Sequence, residues 1–156
     1  MSLHITILSG MNAEDTTEYL VTNGFDKDIV LENQIQRYKK VIGKDIPITI
    51  TLWVALNTIL TQNSLLGIKY RMKNIIFLYH AEKPLTLIRA HGWWKYLNGT
   101  FETSNYNMFL CSTVSIRPSP NRGYDRLISH IANMFLCNYQ TMPHYAASLL
   151  NIIKKF

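Results

Sequence analysis

Residues 72–90 read Met72-Lys73-Asn74-Ile75-Ile76-Phe77-Leu78-Tyr79-His80-Ala81-Glu82-Lys83-Pro84-Leu85-Thr86-Leu87-Ile88-Arg89-Ala90, and the fold turns on how this stretch is assigned. Periodicity alone does not separate a buried helix from a buried strand in the apolar run Ile75 to Tyr79. The length of the segment from Tyr70 to Glu82, and its charged ends, favour a helix. After Lys83-Pro84 the character changes. Leu85 to Ala90 reads as a strand, because proline is tolerated at a strand's first residue. That boundary divides the chain into a mainly helical part, 1–82, and a β-containing part, 83–156.

Working outward, His4 to Ser9 reads as a short strand. Asn12 is a suitable N-cap for a helix near 13–22, with Glu14 and Asp15 in the first turn and Gly24 beyond its end. Leu31, Ile35, Tyr38 and Ile42 recur at helical spacing and predict a helix from Asp28 to Ile42, closed by Gly43. Pro47 fits the first position of a further helix carrying Leu52, Leu56, Ile59 and Leu60. The β-branched run Ile48 to Thr51 offers a strand as the alternative. Toward the C-terminus, His91 to Thr103 reads as a loop or short helix and Asn107 to Ile116 as a strand. Tyr124 to Asn138 reads as a helix, and Pro143 opens a last helix ending at Lys154-Lys155. The expectation is one α+β domain over 1–156: a helical N-terminal half packed on a small mixed or antiparallel sheet.

Composition bounds the function. The chain has 156 residues, 47% hydrophobic and 17% charged, with a formal net charge of +6. A chain of this size buries about 70% of its unfolded surface. Nine Tyr, six Phe and three Trp exclude a disordered polymer, and two Cys exclude a disulfide scaffold. The charge is uneven. Residues 1–45 carry a net of −2 and residues 46–156 a net of +8, the latter with Glu82, Glu102 and Asp125 as their only acids. A surface so poor in carboxylates suits an anionic partner: a nucleotide, a nucleic acid or an acidic protein. No apolar run reaches the ~18 residues of a membrane span, and no basic segment precedes an apolar one near Met1. Cys111 and Cys137 lie among apolar neighbours, as structural thiols do, and no metal site is expected from the scattered His and Cys residues. An intracellular location follows from this pattern.

An arginine on a strand can grip a diphosphate bidentately. If Asn107 to Ile116 is a strand, Cys111, Thr113 and Ser115 share one face and Ser112 takes the other. Arg89 beside this hydroxyl-rich strand is therefore a candidate phosphate site.

These motifs, in this order, resemble mono-ADP-ribosyltransferases of the arginine–serine–glutamate class over roughly residues 50–116. The resemblance rests on Leu52 to Leu60 with Asn57, on Met72 to Ala81, on Pro84 to Arg89, and on Phe109-Leu110-Cys111-Ser112-Thr113-Val114-Ser115. It implies NAD as cofactor, with Arg89 on the NAD phosphates or nicotinamide ribose and Ser112 and Thr113, with Ser115, at the nicotinamide edge. His91-Gly92 is similar to the His-Gly of the histidine–tyrosine–glutamate transferases and adds both residues to the cofactor set. The family's carboxylate on a later strand has no counterpart here, because no Glu follows Glu102. Glu102 is thus the candidate third catalytic group beside Arg89 and Ser112, in a domain able to bind NAD and reduced in catalysis.

Two alternatives belong to other classes. One is a non-enzymatic basic interaction or structural protein, such as a viral or effector component. The other is a GNAT-like acyltransferase, since Asn121-Arg122-Gly123 before a helix is similar to that family's pyrophosphate loop, with Phe77 to Arg89 as the preceding hairpin. Trp93, Trp94 and Tyr96 beside Lys95 read as a packing cluster with a second use as a stacking surface.

Overall fold

The computed structural model describes residues 2–30, 35–56, 72–113, 138–139, 149–154 and 156. Seven strands form one mixed sheet: β1 Ser2–Ser9, β2 Asp26–Val30, β3 Gln36–Ile42, β4 Ile48–Ala55, β5 Asn74–Tyr79, β6 Asn107–Ser112 and β7 Asn138–Tyr139. Their order across the sheet is β2-β3-β4-β1-β5-β6-β7. Strands β4, β1, β5, β6 and β7 run parallel, and β3 is antiparallel to both of its neighbours. Helices α1 (Ala13–Thr22), α2 (Pro84–Thr100) and α3 (Leu149–Ile153) complete the described elements.

The sheet is covered on both faces. Ile5, Ile7, Leu52, Val54, Ile76 and Leu78 point to one side, where they meet Leu20 of α1 and Leu149, Ile152 and Ile153 of α3. Leu8, Trp53, Ala55, Ile75, Phe77 and Leu110 point to the other and meet Leu87, Ala90, Trp93 and Leu97 of α2. A strand buried on both faces needs apolar residues at every position. That is the content of Asn74–Tyr79, where five successive residues are buried.

The structure therefore corrects the expected helical N-terminal half. Residues 74–79 form the strand β5, because their unbroken apolar run feeds both cores alternately. Ile48–Ala55 is a strand for the same reason, and its β-branched start decides against the helix. The helix expected over 28–42 is the antiparallel pair β2–β3. In β3, Arg37 and Lys39 alternate with Tyr38 and Lys40, and this two-residue period prevails over the coincidental spacing of Ile35, Tyr38 and Ile42. Gly43 ends no helix. It turns the β3–β4 hairpin at φ +91°, where an added Cβ would lie 2.6 Å from the carbonyl oxygen of Ile46.

The opposite correction applies after Lys83. Residues 85–90 are not a strand but the first turns of α2, and the loop or short helix read over 91–103 is mostly its continuation. Pro84 stands at the start of this helix, where its missing N–H costs nothing. Thr86, Ala90, Trp93 and Leu97 then return to one face at helical spacing. The expected strand at 4–9, helix at 13–22 and strand from 107 are present. Beyond Thr113 the rest of that strand, the loop with Asn121-Arg122-Gly123 and the helix expected over Tyr124 to Asn138 lie outside the described residues, except that Asn138 is described and stands in the strand β7; the start of the last helix also lies outside them. No described helix is long and apolar enough to cross a membrane.

Candidate functional site

The chain leaves β1 toward β2, β3 and β4 on one side, and from β5 proceeds to β6 and β7 on the other. The connections flanking β1 and β5 thus diverge: α1 lies over one face and α2 over the other. Open α/β sheets bind ligands in the crevice outside the carboxyl ends of the strands where the order reverses. A cleft of about 250 Å³ occupies this place, lined by Met11, Asp15, Glu18, Tyr19, Thr22, His80, Lys83 and Thr113.

Each wall has a local cause. Asn12 caps α1, its side-chain Oδ1 accepting the N–H of Asp15 at 2.8 Å. Asp15, Glu18, Tyr19 and Thr22 then recur at spacings of three and four and share the face toward the cleft. The turn before α1 is knitted by hydroxyls. Thr16 Oγ1 donates to the carbonyl of Asn12 at 2.8 Å and lies 2.9 Å from Ser9 Oγ, which accepts the N–H of Met11 at 3.1 Å.

The loop between β5 and α2 is equally fixed. Thr86 Oγ1 accepts the N–H of His80 at 2.8 Å and faces the carbonyl of Lys83 at 2.7 Å. His80 Nδ1 accepts the N–H of Glu82 at 3.2 Å. The neutral imidazole therefore carries its proton on Nε2, as a donor. Lys83 Nζ lies 3.2 Å from Asp15 Oδ2, and this ion pair bridges the two helices.

Two further groups line or underlie the cleft without offering a nucleophile. Cys111 is fully buried, and burial pushes its thiol up to about 12. Tyr19 OH lies 3.8 Å from Cys111 Sγ, and burial, then the thiol, raise the phenol well above its ordinary value. Both stay protonated at neutral pH, so neither acts as an anion. Among the described residues, no group of three or more His, Cys, Asp or Glu side chains could hold a metal ion.

The residues singled out from sequence fall in different places. Ser112 is buried at the end of β6, and Thr113 lines the cleft, its hydroxyl 3.5 Å from Met11 Sδ. Ser115 lies outside the described residues. Arg89 is exposed on α2, not on a strand, and Gly92 is exposed on the same helix with open space around it. Glu102 follows the far end of α2, where Ser104 hydrogen bonds hold its carboxyl below the ordinary range. A 17-residue helix spans about 25 Å, so α2 carries Glu102 away from the edge where Ser112 and Thr113 sit. The structure does not bring Arg89, Ser112 and Glu102 together. Likewise the hairpin expected over Phe77 to Arg89 is a strand followed by a helix.

His91 is buried on α2, its ring stacked on Trp94 at 5.4 Å. Burial, and then the charge of Lys95, lower its pKa below the ordinary histidine value. The unfolded chain therefore takes up a proton there before the folded chain does. Stability from the neutral ring is complete above an unfolded pKa of about 6.5 and is lost as pH falls toward the folded value. Urea unfolding between about pH 7 and pH 5 is expected to show a smaller acid loss in His91→Gln than in the wild type. Equal slopes would show that the ring titrates alike in both states.

Sequence reading missed Asp15, Glu18, Tyr19, His80 and Lys83. The available signal was Gly10-Met11-Asn12 between an apolar strand and a capped helix, and Lys83 immediately before the proline that opens α2. No protein-family model matches this chain, and no curated protein matches it.

Proposed function

We propose that this protein binds a phosphate-bearing small molecule of the nucleotide class, with NAD as the leading candidate, in the cleft at the carboxyl ends of β1, β5 and β6. The observation that carries the reading is the reversal of strand order between β1 and β5 with a lined cleft outside it. Lys83 and the Nε2 proton of His80 supply cationic and neutral donors for a phosphate. Asp15 and Glu18 supply acceptors for sugar hydroxyls. NAD offers both kinds of partner. The ADP-ribosyltransferase resemblance enters through this ligand class. A transfer reaction would not use Arg89, Ser112 and Glu102 as one catalytic group, since they lie apart. If positive charge develops on a bound sugar, Asp15 and Glu18 are the carboxylates placed to face it.

Titration calorimetry of the wild type with NAD and with acetyl-CoA tests the reading. NAD is expected to bind, and Lys83→Ala to weaken it by about 1.5–3 kcal/mol, the scale of a hydrogen bond to a charged group. Arg89→Ala is expected to leave the affinity unchanged, because that side chain is exposed on α2 outside the residues lining the cleft. An Arg89 effect without a Lys83 effect would move the site to the outer face of α2. Heat with acetyl-CoA alone would favour acyl transfer, and heat with neither ligand would favour an interaction protein.

A further inference from the structure

The cleft is not a simple anion trap. Its lining holds two carboxylates, Asp15 and Glu18, against Lys83 and His80. The acids come from the acidic first third of the sequence and the cation from the basic remainder. The sheet order sets them face to face, and Lys83 Nζ is already engaged by Asp15 at 3.2 Å. Asp15 is the less exposed partner, its side chain 34% accessible against 56% for Lys83. We propose that the Asp15–Lys83 pair makes the cleft selective for sugar phosphates over bare inorganic anions, a conclusion that rests on the cleft being the ligand site.

The reason lies in what each ligand does to the pair. An inorganic phosphate that draws Lys83 to itself leaves the Asp15 carboxylate without its cation and lies close to a like charge. Both effects oppose binding. A sugar phosphate replaces both halves at once. Its phosphate accepts from the Lys83 ammonium and from His80 Nε2–H, while its hydroxyls donate to the Asp15 and Glu18 carboxylates. The positions suit this division. Asp15 and Glu18 are three residues apart on one face of α1, and His80 and Lys83 stand together on the loop across from them. The cleft volume, about 250 Å³, fits one sugar phosphate rather than a whole dinucleotide. Within NAD, one ribose phosphate would be the part enclosed.

The test measures binding of ribose phosphate, inorganic phosphate and free ribose by calorimetry. Variants are Asp15→Asn, Asp15→Glu and Lys83→Gln, each checked for an unchanged circular-dichroism melt. The wild type is expected to prefer ribose phosphate over inorganic phosphate by about tenfold or more, a modest factor suited to a half-exposed pair. Asp15→Asn should shrink that ratio severalfold, by tightening inorganic phosphate and weakening ribose phosphate. Asp15→Glu, which keeps the carboxylate, should retain the preference, and Lys83→Gln should weaken both phosphates. Equal wild-type affinity for the two phosphates overturns the inference. So does an unchanged ratio in Asp15→Asn, or free ribose binding as tightly as its phosphate. If the sugar phosphate and NAD both fail to bind the wild type, the ligand-site reading falls as well. If NAD binds while the ratio ignores Asp15, only the selectivity role falls.

Discussion

Gly10→Ala is expected to cost about 3 kcal/mol or more, a large share of the roughly 5–15 kcal/mol by which folded domains are usually stable. Gly10 follows β1 and crosses beneath α2. An added Cβ would lie 1.9 Å from the carbonyl oxygen of Thr86 and 2.9 Å from the amide nitrogen of Ala90. Both are backbone atoms of α2, so no rotamer change relieves the overlap. Either α2 lifts from the sheet or the end of β1 withdraws. Lifting α2 exposes the face carrying Leu87, Ala90 and Trp93. Moving β1 strains the bond from the Gly10 N–H to the carbonyl of Leu78, 2.9 Å long. Gly92→Ala is the control. Gly92 sits on the same helix with nothing within 4 Å of a new Cβ, and alanine there should stabilise the helix by about 0.5–1 kcal/mol. Urea unfolding midpoints compare the two. A Gly10→Ala midpoint close to that of the wild type would show that β1 and α2 do not approach this closely.

The same contact explains which parts of the fold could be read from sequence. His4 to Ser9 and Asn12 to Thr22 carry local signals, an apolar strand and a capped helix, and local signals suffice when the neighbours agree with them. Ile75 to Tyr79 carries no such signal. A strand central to a two-faced sheet loses its alternation because both faces are buried, and only the partner strands tell it from a buried helix. Leu85 to Ala90 fails for the complementary reason. Viewed alone it is a β-prone string after a proline, and its helical period appears only when Trp93 and Leu97 are counted with it. The candidate site followed the same division. Thr113, which the hydroxyl pattern of 111–115 singles out, lies just past the end of β6 and lines the cleft. Asp15 and Lys83 are 68 positions apart, and their pairing depends on α1 and α2 starting from adjacent strand ends. That adjacency is a property of strand order, which neither composition nor spacing encodes. The basic bias of the sequence gives no sign of the acidic wall that α1 adds to the cleft.

Trp93→Ala is the second large effect, expected to destabilise the protein by about 3–5 kcal/mol and lower its melting temperature by on the order of 10 °C. Trp93 is 1% exposed and is the largest fully buried side chain among the described residues. It packs with Leu8, Phe77 and Leu110 in the core beneath α2, edge-on to Tyr96 with ring centroids 6.1 Å apart. It also makes a polar contact that few core residues make: its Nε1–H donates to the carbonyl of Ser9 at 3.1 Å. Trp93→Phe separates the two contributions. It keeps much of the apolar body and removes the donor, so its stability cost should be smaller, about 1–3 kcal/mol, including the penalty for a buried carbonyl deprived of its partner. Ser9 is also the residue whose hydroxyl holds Met11 and Thr16, and through them the first turn of α1. Loss of the Trp93 bond loosens the segment that presents Met11 and Asp15 to the cleft. At temperatures where Trp93→Phe is fully folded, its affinity for a ligand in that cleft should therefore fall, while Arg89→Ala leaves the same affinity intact. A Trp93→Phe protein with reduced stability and undiminished affinity would show that the β1–α1 turn holds its shape through the Ser9–Thr16 hydroxyl network alone.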